Sequence, residues 1–272
     1  MRFFLCAVFL MFTSLACGQE VEVINKAVKS SIVVNFIGTS PVTKKPTNGM
    51  VSGVVFNKII EGKEESFILS CSHGISNLEQ DFTAVMYVQP LSIKLNIKPI
   101  MFSSAIGGTD VVLYYSPATL KSYIKMAEKR AVVGEKIFHV GTPANLSHFN
   151  SAFDGIVSRH DARVQPSPDP KSVSFYDTGS YTTQPGCSGG GVFNKEGDYI
   201  GMALISLSNG GWSGYHSVDK IKKALDINNM SWLYDGSEVK IEDIKKIKLT
   251  NISAGLKVPK PTPLKDTSEK LQ

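Results

Sequence analysis

From residue 21 onward, short apolar and β-branched runs alternate with clusters of Gly, Pro, Asn and Ser. Val21–Ile24, Ser31–Ile37, Val51–Ile60, Phe67–Ser70, Ala84–Val88 and Val111–Tyr115 make a first set of such runs. Lys136–Val140, Gly155–Ser158, Val173–Tyr176, Gly191–Asn194 and Tyr199–Leu207 make a second. Short runs at this spacing predict strands of a sandwich or barrel, an all-β fold. A clear helical period appears late: behind Ser217, which is placed to cap, Val218, Ile221, Ala224 and Leu225 share one face while Lys220, Lys222 and Lys223 turn to water. Lys121–Arg130 reads as a short helical linker between the two halves. There is no internal repeat.

The ends of the chain break this pattern. Arg2, the apolar run Phe3–Phe12 and the small residues after it have the layout of a signal peptide over residues 1–18, with cleavage after Ala16-Cys17-Gly18. The apolar run is too short for a membrane span, and no later segment is long enough for one. Ser14-Leu15-Ala16-Cys17 is also similar to a bacterial lipoprotein box with Cys17 as lipid acceptor, although Ser14 stands where Leu is usual. The expected location is secreted or periplasmic, with a membrane-anchored lipoprotein as the alternative. Residues 236–272 are lysine-rich, carry Pro259, Pro261 and Pro263 and lack aromatics after Gly236, so their last part reads as an extended tail. Between the ends, 19–125 and 126–235 divide the globular part.

Composition narrows the function classes. With 42% hydrophobic and 19% charged residues the chain is globular rather than disordered. Its net charge of +5 is scattered, without aromatic interleaving, which gives no nucleic-acid surface. Cleavage would leave only Cys71 and Cys187, so the mature domain is held by its core and not by a disulfide framework. No His/Cys/Asp cluster has metal-ligand spacing, and neither a metal nor a cofactor is expected.

Three local motifs carry chemistry. Gln184-Pro185-Gly186-Cys187-Ser188-Gly189-Gly190-Gly191-Val192 sets a serine among glycines, which allows a tight turn and lets the N–H groups of Gly186 and Ser188 converge on one oxygen. A serine hydroxyl needs a base. His73 stands directly behind the apolar run Phe67–Ser70, at a strand end where it can face a cleft, whereas His139, His148, His160 and His216 taken singly read as loop or core histidines. The base needs an orienting carboxylate. Asp110 heads the apolar run Val111–Leu113, where an unpaired charge is costly. The order is His, Asp, Ser, with spacings of 37 and 78 residues, which suits a first unit holding His73 and Asp110 and a second holding Ser188.

These motifs resemble those of the trypsin-like (chymotrypsin-fold) serine proteases, most closely the HtrA-type and glutamyl-endopeptidase-like branch, over roughly Val28–Leu225. Phe67–His73 is similar to the family's histidine strand, Thr109–Leu113 to its aspartate strand and Pro185–Val192 to its serine loop. Val133-Gly134-Glu135 through Gly141-Thr142-Pro143, Gly155–Ser158, Asn194–Gly201 and Gly214–Leu225 supply further matches. The resemblance implies two six-stranded antiparallel β-barrels, a C-terminal helix and an active site in the cleft between the barrels. It also implies a serine endopeptidase acting through an acyl-enzyme, with His73, Asp110 and Ser188 as triad, Gly186 and Ser188 as oxyanion donors, and a protein or peptide as substrate. Gly74 follows the histidine where Val or Cys is frequent. Cys187 precedes the serine where Asp or Asn is usual, which puts trypsin-type zymogen activation in doubt. The tail is too short for a PDZ domain.

By position in the motif, Thr182 lies at the base of the first substrate pocket, Leu204-Ile205-Ser206 forms one wall that pairs with substrate backbone, and Gly214–His216 forms another. A pocket in which His216 recognises Glu or Gln and a small or medium apolar pocket are both open. Cys71 and Cys187 flank triad members, and either a disulfide stapling the two motifs or a pair of buried thiols fits. The alternative function is a catalytically inactive homologue that binds peptides or partners. An esterase or lipase is opposed by the motif order and the lack of βα alternation.

Overall fold

The structure is a computed structural model that describes residues 20–40, 43–76, 83–88, 93–104, 109–144, 149–165, 174–207 and 211–247. The proposed signal segment, Cys17, His148 and the end of the tail lie outside the described residues.

Twelve strands form two closed antiparallel barrels. The first contains β1 (Ser31–Thr39), β2 (Pro46–Ile60), β3 (Lys63–Ser70), β4 (Thr83–Val88), β5 (Ile93–Ser103) and β6 (Val111–Tyr115), in the order β1-β2-β3-β6-β5-β4. The second contains β7 (Lys136–Gly141), β8 (Ser151–Val164), β9 (Ser174–Gly179), β10 (Gly191–Asn194), β11 (Tyr199–Leu207) and β12 (Trp212–Ser217), in the order β10-β11-β12-β9-β8-β7. Closure leaves no free sheet edge in either barrel. This is the chymotrypsin-like architecture that the resemblance implied.

Buried apolar residues line the strands of both barrels. Ile68, Leu69 and Leu113 are fully buried in the first, and Ile137, Val192 and Ala203 in the second. Helix α1 (residues 20–29) precedes β1. Helices α2 (Val218–Ile227), α3 (Trp232–Asp235) and α4 (Ile241–Lys246) follow β12. Val218, Ile221, Ala224 and Leu225 are the buried face of α2, as their period predicts. Trp232 and Ile244 return to the first barrel's core, where the Trp232 ring meets Phe67 edge-on at 4.9 Å. The late helices therefore bind both barrels together.

Three local expectations differ from the structure. Val21–Ile24 begins α1 instead of a strand: Val23 and Ala27 are buried on one helical face, and Lys26 pairs with Glu22 at 2.9 Å. Lys121–Arg130 is not helical. Its backbone bonds outward, with Ala127 N–H donating to the Tyr199 carbonyl and Tyr199 N–H to the Lys125 carbonyl. Ser217 takes the N-cap position of α2, yet its side chain makes no capping bond.

Candidate active site

Strand β3 ends at Ser70, and the chain turns so that Ser72 and His73 face the start of β6. There Asp110 adopts a left-handed backbone, φ 54°, and is almost fully buried. Its carboxylate is enclosed by donors. Oδ1 accepts the N–H groups of Ser72 (2.9 Å) and His73 (2.8 Å) and lies 3.0 Å from the Ser72 hydroxyl. That hydroxyl has one proton to divide between Oδ1 and the Ser103 carbonyl at 2.7 Å. Oδ2 sits 2.8 Å from His73 Nδ1. A carboxylate can only accept, so Nδ1 carries a proton, and in the neutral imidazole Nε2 is left with its lone pair.

Nε2 faces Cys71, whose sulfur is 3.7 Å away. Cys71 is fully buried, and burial pushes its thiol up. Cys187 is also buried and also pushed up by burial. Both cysteines are free thiols. Cys187 packs over Gly141 at the end of β7, where an added Cβ would come within 3.1 Å of its own, while Cys71 points at His73.

The serine loop runs from Tyr181 to Gly190. Gly186 has φ 95°, and an added Cβ would lie 2.6 Å from the Thr142 carbonyl oxygen, so only glycine fits. Two of the loop's carbonyls are held in ways that aim the opposite ends of their peptides. Ala144 N–H donates to the Pro185 carbonyl at 2.8 Å, and Gly190 N–H donates to the Cys187 carbonyl at 3.0 Å. In a trans peptide the N–H points away from the C=O. The N–H groups of Gly186 and Ser188 are thereby turned the other way, and neither donates to any described residue. Ser188 Oγ donates to the Leu204 carbonyl at 3.0 Å and not to His73. That carbonyl is free of the sheet because the β11–β12 register shifts between Ala203 and Ile205, a bulge beside the site.

The residues assigned to the substrate pocket fall in different places. Thr182 is exposed, and its neighbour Thr183 is buried, with Oγ1 3.0 Å from Ser213 Oγ and 3.3 Å from the Ile205 carbonyl. Leu204 is buried and Ser206 exposed on β11. His216 lies near the end of β12. It is buried, stacked on Tyr176 at 4.9 Å, and donates through Nδ1 to the Thr109 carbonyl at 2.8 Å, behind Asp110. Burial lowers the pKa of this imidazole below the ordinary histidine value. Ser72 and Ser52 (the latter in contact with the serine loop) were not singled out from the sequence. Both are buried hydroxyls, Ser52 within an apolar strand and Ser72 just past the end of β3, and the need of such a group for a partner is the signal that points to them.

Among the described residues no group of three or more His, Cys, Asp or Glu side chains could hold a metal ion, and no helix is long and apolar enough to cross a membrane. Residues 51–202 match the family of trypsin-like peptidase domains. Among curated relatives, the probable periplasmic serine endoprotease DegP-like of Pseudomonas putida (strain GB-1) is 31% identical over 123 residues, which cover 44% of this chain and 24% of the relative. The protein of the same name from Hahella chejuensis is 28% identical over 171 residues, 61% of this chain and 33% of the relative. The chain thus spans about a quarter to a third of the length of the curated relatives it matches.

Proposed function

Because the chain belongs to the trypsin-like peptidase domain family, we propose that it is a serine endopeptidase in which Ser188 is the nucleophile, His73 the general base and Asp110 its orienting carboxylate. The reading rests above all on one observation: a His73 Nδ1–Asp110 Oδ2 contact of 2.8 Å in the first barrel, together with a serine loop whose Gly186 and Ser188 N–H groups donate to no described residue. In the first step Ser188 Oγ attacks the scissile carbonyl carbon while its proton passes to His73 Nε2, and the C=O electron pair moves onto the oxygen. The N–H groups of Gly186 and Ser188 receive that oxyanion. Collapse expels the amine, which takes the proton from Nε2 and leaves an acyl-Ser188 ester. Water then repeats the sequence, giving a carboxylic acid and free enzyme. No step calls on a metal or cofactor. The substrate is a protein or peptide, and the curated relatives' periplasmic designation supports a secreted or periplasmic site of action.

A second reading, an inactive homologue that binds peptides, is favoured by one specific feature: Ser188 Oγ is bonded to Leu204 and His73 Nε2 faces Cys71, so base and nucleophile are not in contact. Hydrogen bonds of this kind often form only with substrate in place. Labelling with a fluorophosphonate probe decides between the readings. A proteolytic enzyme is labelled, and Ser188→Ala abolishes the label. A folded wild type that stays unlabelled is the binding homologue.

A further inference from the structure

Ser52 lies on β2 of the first barrel, fully buried. Its place in the apolar run Val51–Phe56 makes an unpartnered hydroxyl there costly. All of its polar groups are used, and most of them reach into the other barrel. Its N–H donates to the Ser188 carbonyl at 2.8 Å. Its hydroxyl donates to the Gly186 carbonyl at 2.8 Å and accepts the Thr142 N–H at 2.8 Å. Its own carbonyl accepts the Ser70 hydroxyl at 2.6 Å.

Taken with the bonds already described, every carbonyl from Gln184 to Ser188 has a donor. Cys187 N–H serves Gln184, Ala144 N–H serves Pro185, and Gly190 N–H serves Cys187. Ser52 alone serves the remaining two, Gly186 and Ser188. The Gly186–Cys187 peptide separates the two proposed oxyanion donors, so its rotation would turn one of them out of line. It is fixed at one end by the Ser52 hydroxyl and at the other by the Gln184 carbonyl. Gly186, at φ 95°, offers little steric resistance to such a rotation. We propose that Ser52 is a positioning residue for the oxyanion site: its hydroxyl fixes the Gly186–Cys187 peptide, and with its N–H it ties the serine loop to the first barrel that carries His73 and Asp110. This role rests on the proteolytic reading.

The test separates transition-state stabilisation from substrate binding. It uses the peptide p-nitroanilide that the wild type cleaves fastest and the boronic acid of the same peptide, which forms a tetrahedral adduct on the serine. Ser52→Ala keeps the backbone N–H bond and removes the hydroxyl. The expected result is a fall in kcat of about 10- to 100-fold, the scale of a misplaced reacting group. The boronate inhibition constant should rise by a similar factor, with KM within about twofold. Ser52→Cys, close in size and a weaker donor, carries the same test with a smaller loss if the alanine variant does not fold. Wild-type kcat and boronate affinity in a folded variant overturn the role of Ser52, while a dead Ser188→Ala alongside keeps the proteolytic reading. A rise in KM alone also overturns it. A wild type that takes no fluorophosphonate label and cleaves no p-nitroanilide removes both.

Discussion

His73 is pulled in two directions. Burial disfavours its imidazolium, but the Cys71 sulfur and the hydrogen-bonded Asp110 carboxylate outweigh burial, and the ring is held well above the ordinary histidine range. Burial pushes the Cys71 thiol up in turn. A general base works only when unprotonated. The rate of fluorophosphonate labelling should therefore climb as pH rises through the raised His73 value and be greatest on the alkaline side. The Cys71 thiol also competes with Ser188 for Nε2. Removing it in Cys71→Ala should speed labelling about two- to fivefold, the weight of a weak hydrogen bond of about 0.5–1 kcal/mol. A time course from pH 6 to 10 on both proteins checks this, and a flat profile shared by the two would refute it. The pairing of His73 with Asp110 was legible in the sequence because a strand-end histidine and a carboxylate heading an apolar strand each require a partner. The thiol against Nε2 was not, since two residues of separation say nothing of where a side chain points after the strand ends.

At the scale of elements, the linker between the barrels is held by backbone bonds to Tyr199 and by the Arg130 side chain, where the sequence suggested helical bonding. Arg130 donates through Nε to Asp177 Oδ2 at 2.7 Å and through Nη2 to Oδ1, a bidentate grip on a fully buried carboxylate of β9. Its Nη1 reaches Asp161 at 3.1 Å, while His160 and the Asp161 N–H complete the ring around Asp177. Breaking one partner of a buried pair strands the other. Arg130→Met should lower the unfolding free energy by about 3 kcal/mol, and Asp177→Asn combined with it should cost less than the sum of the two single changes. Urea melts of the four proteins measure that coupling, and additive losses would mean that the pair is not the anchor. The period of α2 is legible because four apolar positions share one face over about two turns. Val21–Ile24 is not, since three β-branched residues in four fit a strand as well as the first turn of a helix, and what decides is the burial of Ala27 further on. His216 shows the same limit: its place in a matching motif fixed its strand, while a stacking partner on β9 and the Thr109 carbonyl fixed its direction.

Short strands at close spacing made an all-β sandwich or barrel legible, but the two barrels, their closure and strand order came from the resemblance, because a hydrophobic pattern does not encode which edges meet. Once the barrels close, two histidines set opposite limits on the pH at which the molecule holds together. His139 is fully buried in the second barrel, with Nδ1–H donating to the Gly191 carbonyl at 3.0 Å and Nε2 without a partner. Burial lowers its pKa to about 4 from an ordinary 6.5. The unfolded chain then binds the extra proton first, so stability rises with pH between about 4 and 6.5 and is lost as pH falls through that window, by about 3 kcal/mol in all. His73 works the other way. Its folded value is raised, so its contribution is fully present below about 6.5 and fades as pH rises through the raised value. That contribution is the smaller one, because the His73 side chain is 38% exposed and solvent screens it. Stability should therefore peak near pH 6.5, below the alkaline range in which His73 is free to act as a base. Chemical denaturation at pH 4, 5, 6.5, 8 and 9.5 maps that curve. His139→Gln, which keeps a donor for Gly191 but cannot be charged, should flatten the acid limb and leave the alkaline limb in place, and an acid limb that survives the substitution would assign the acid sensitivity to carboxylates instead.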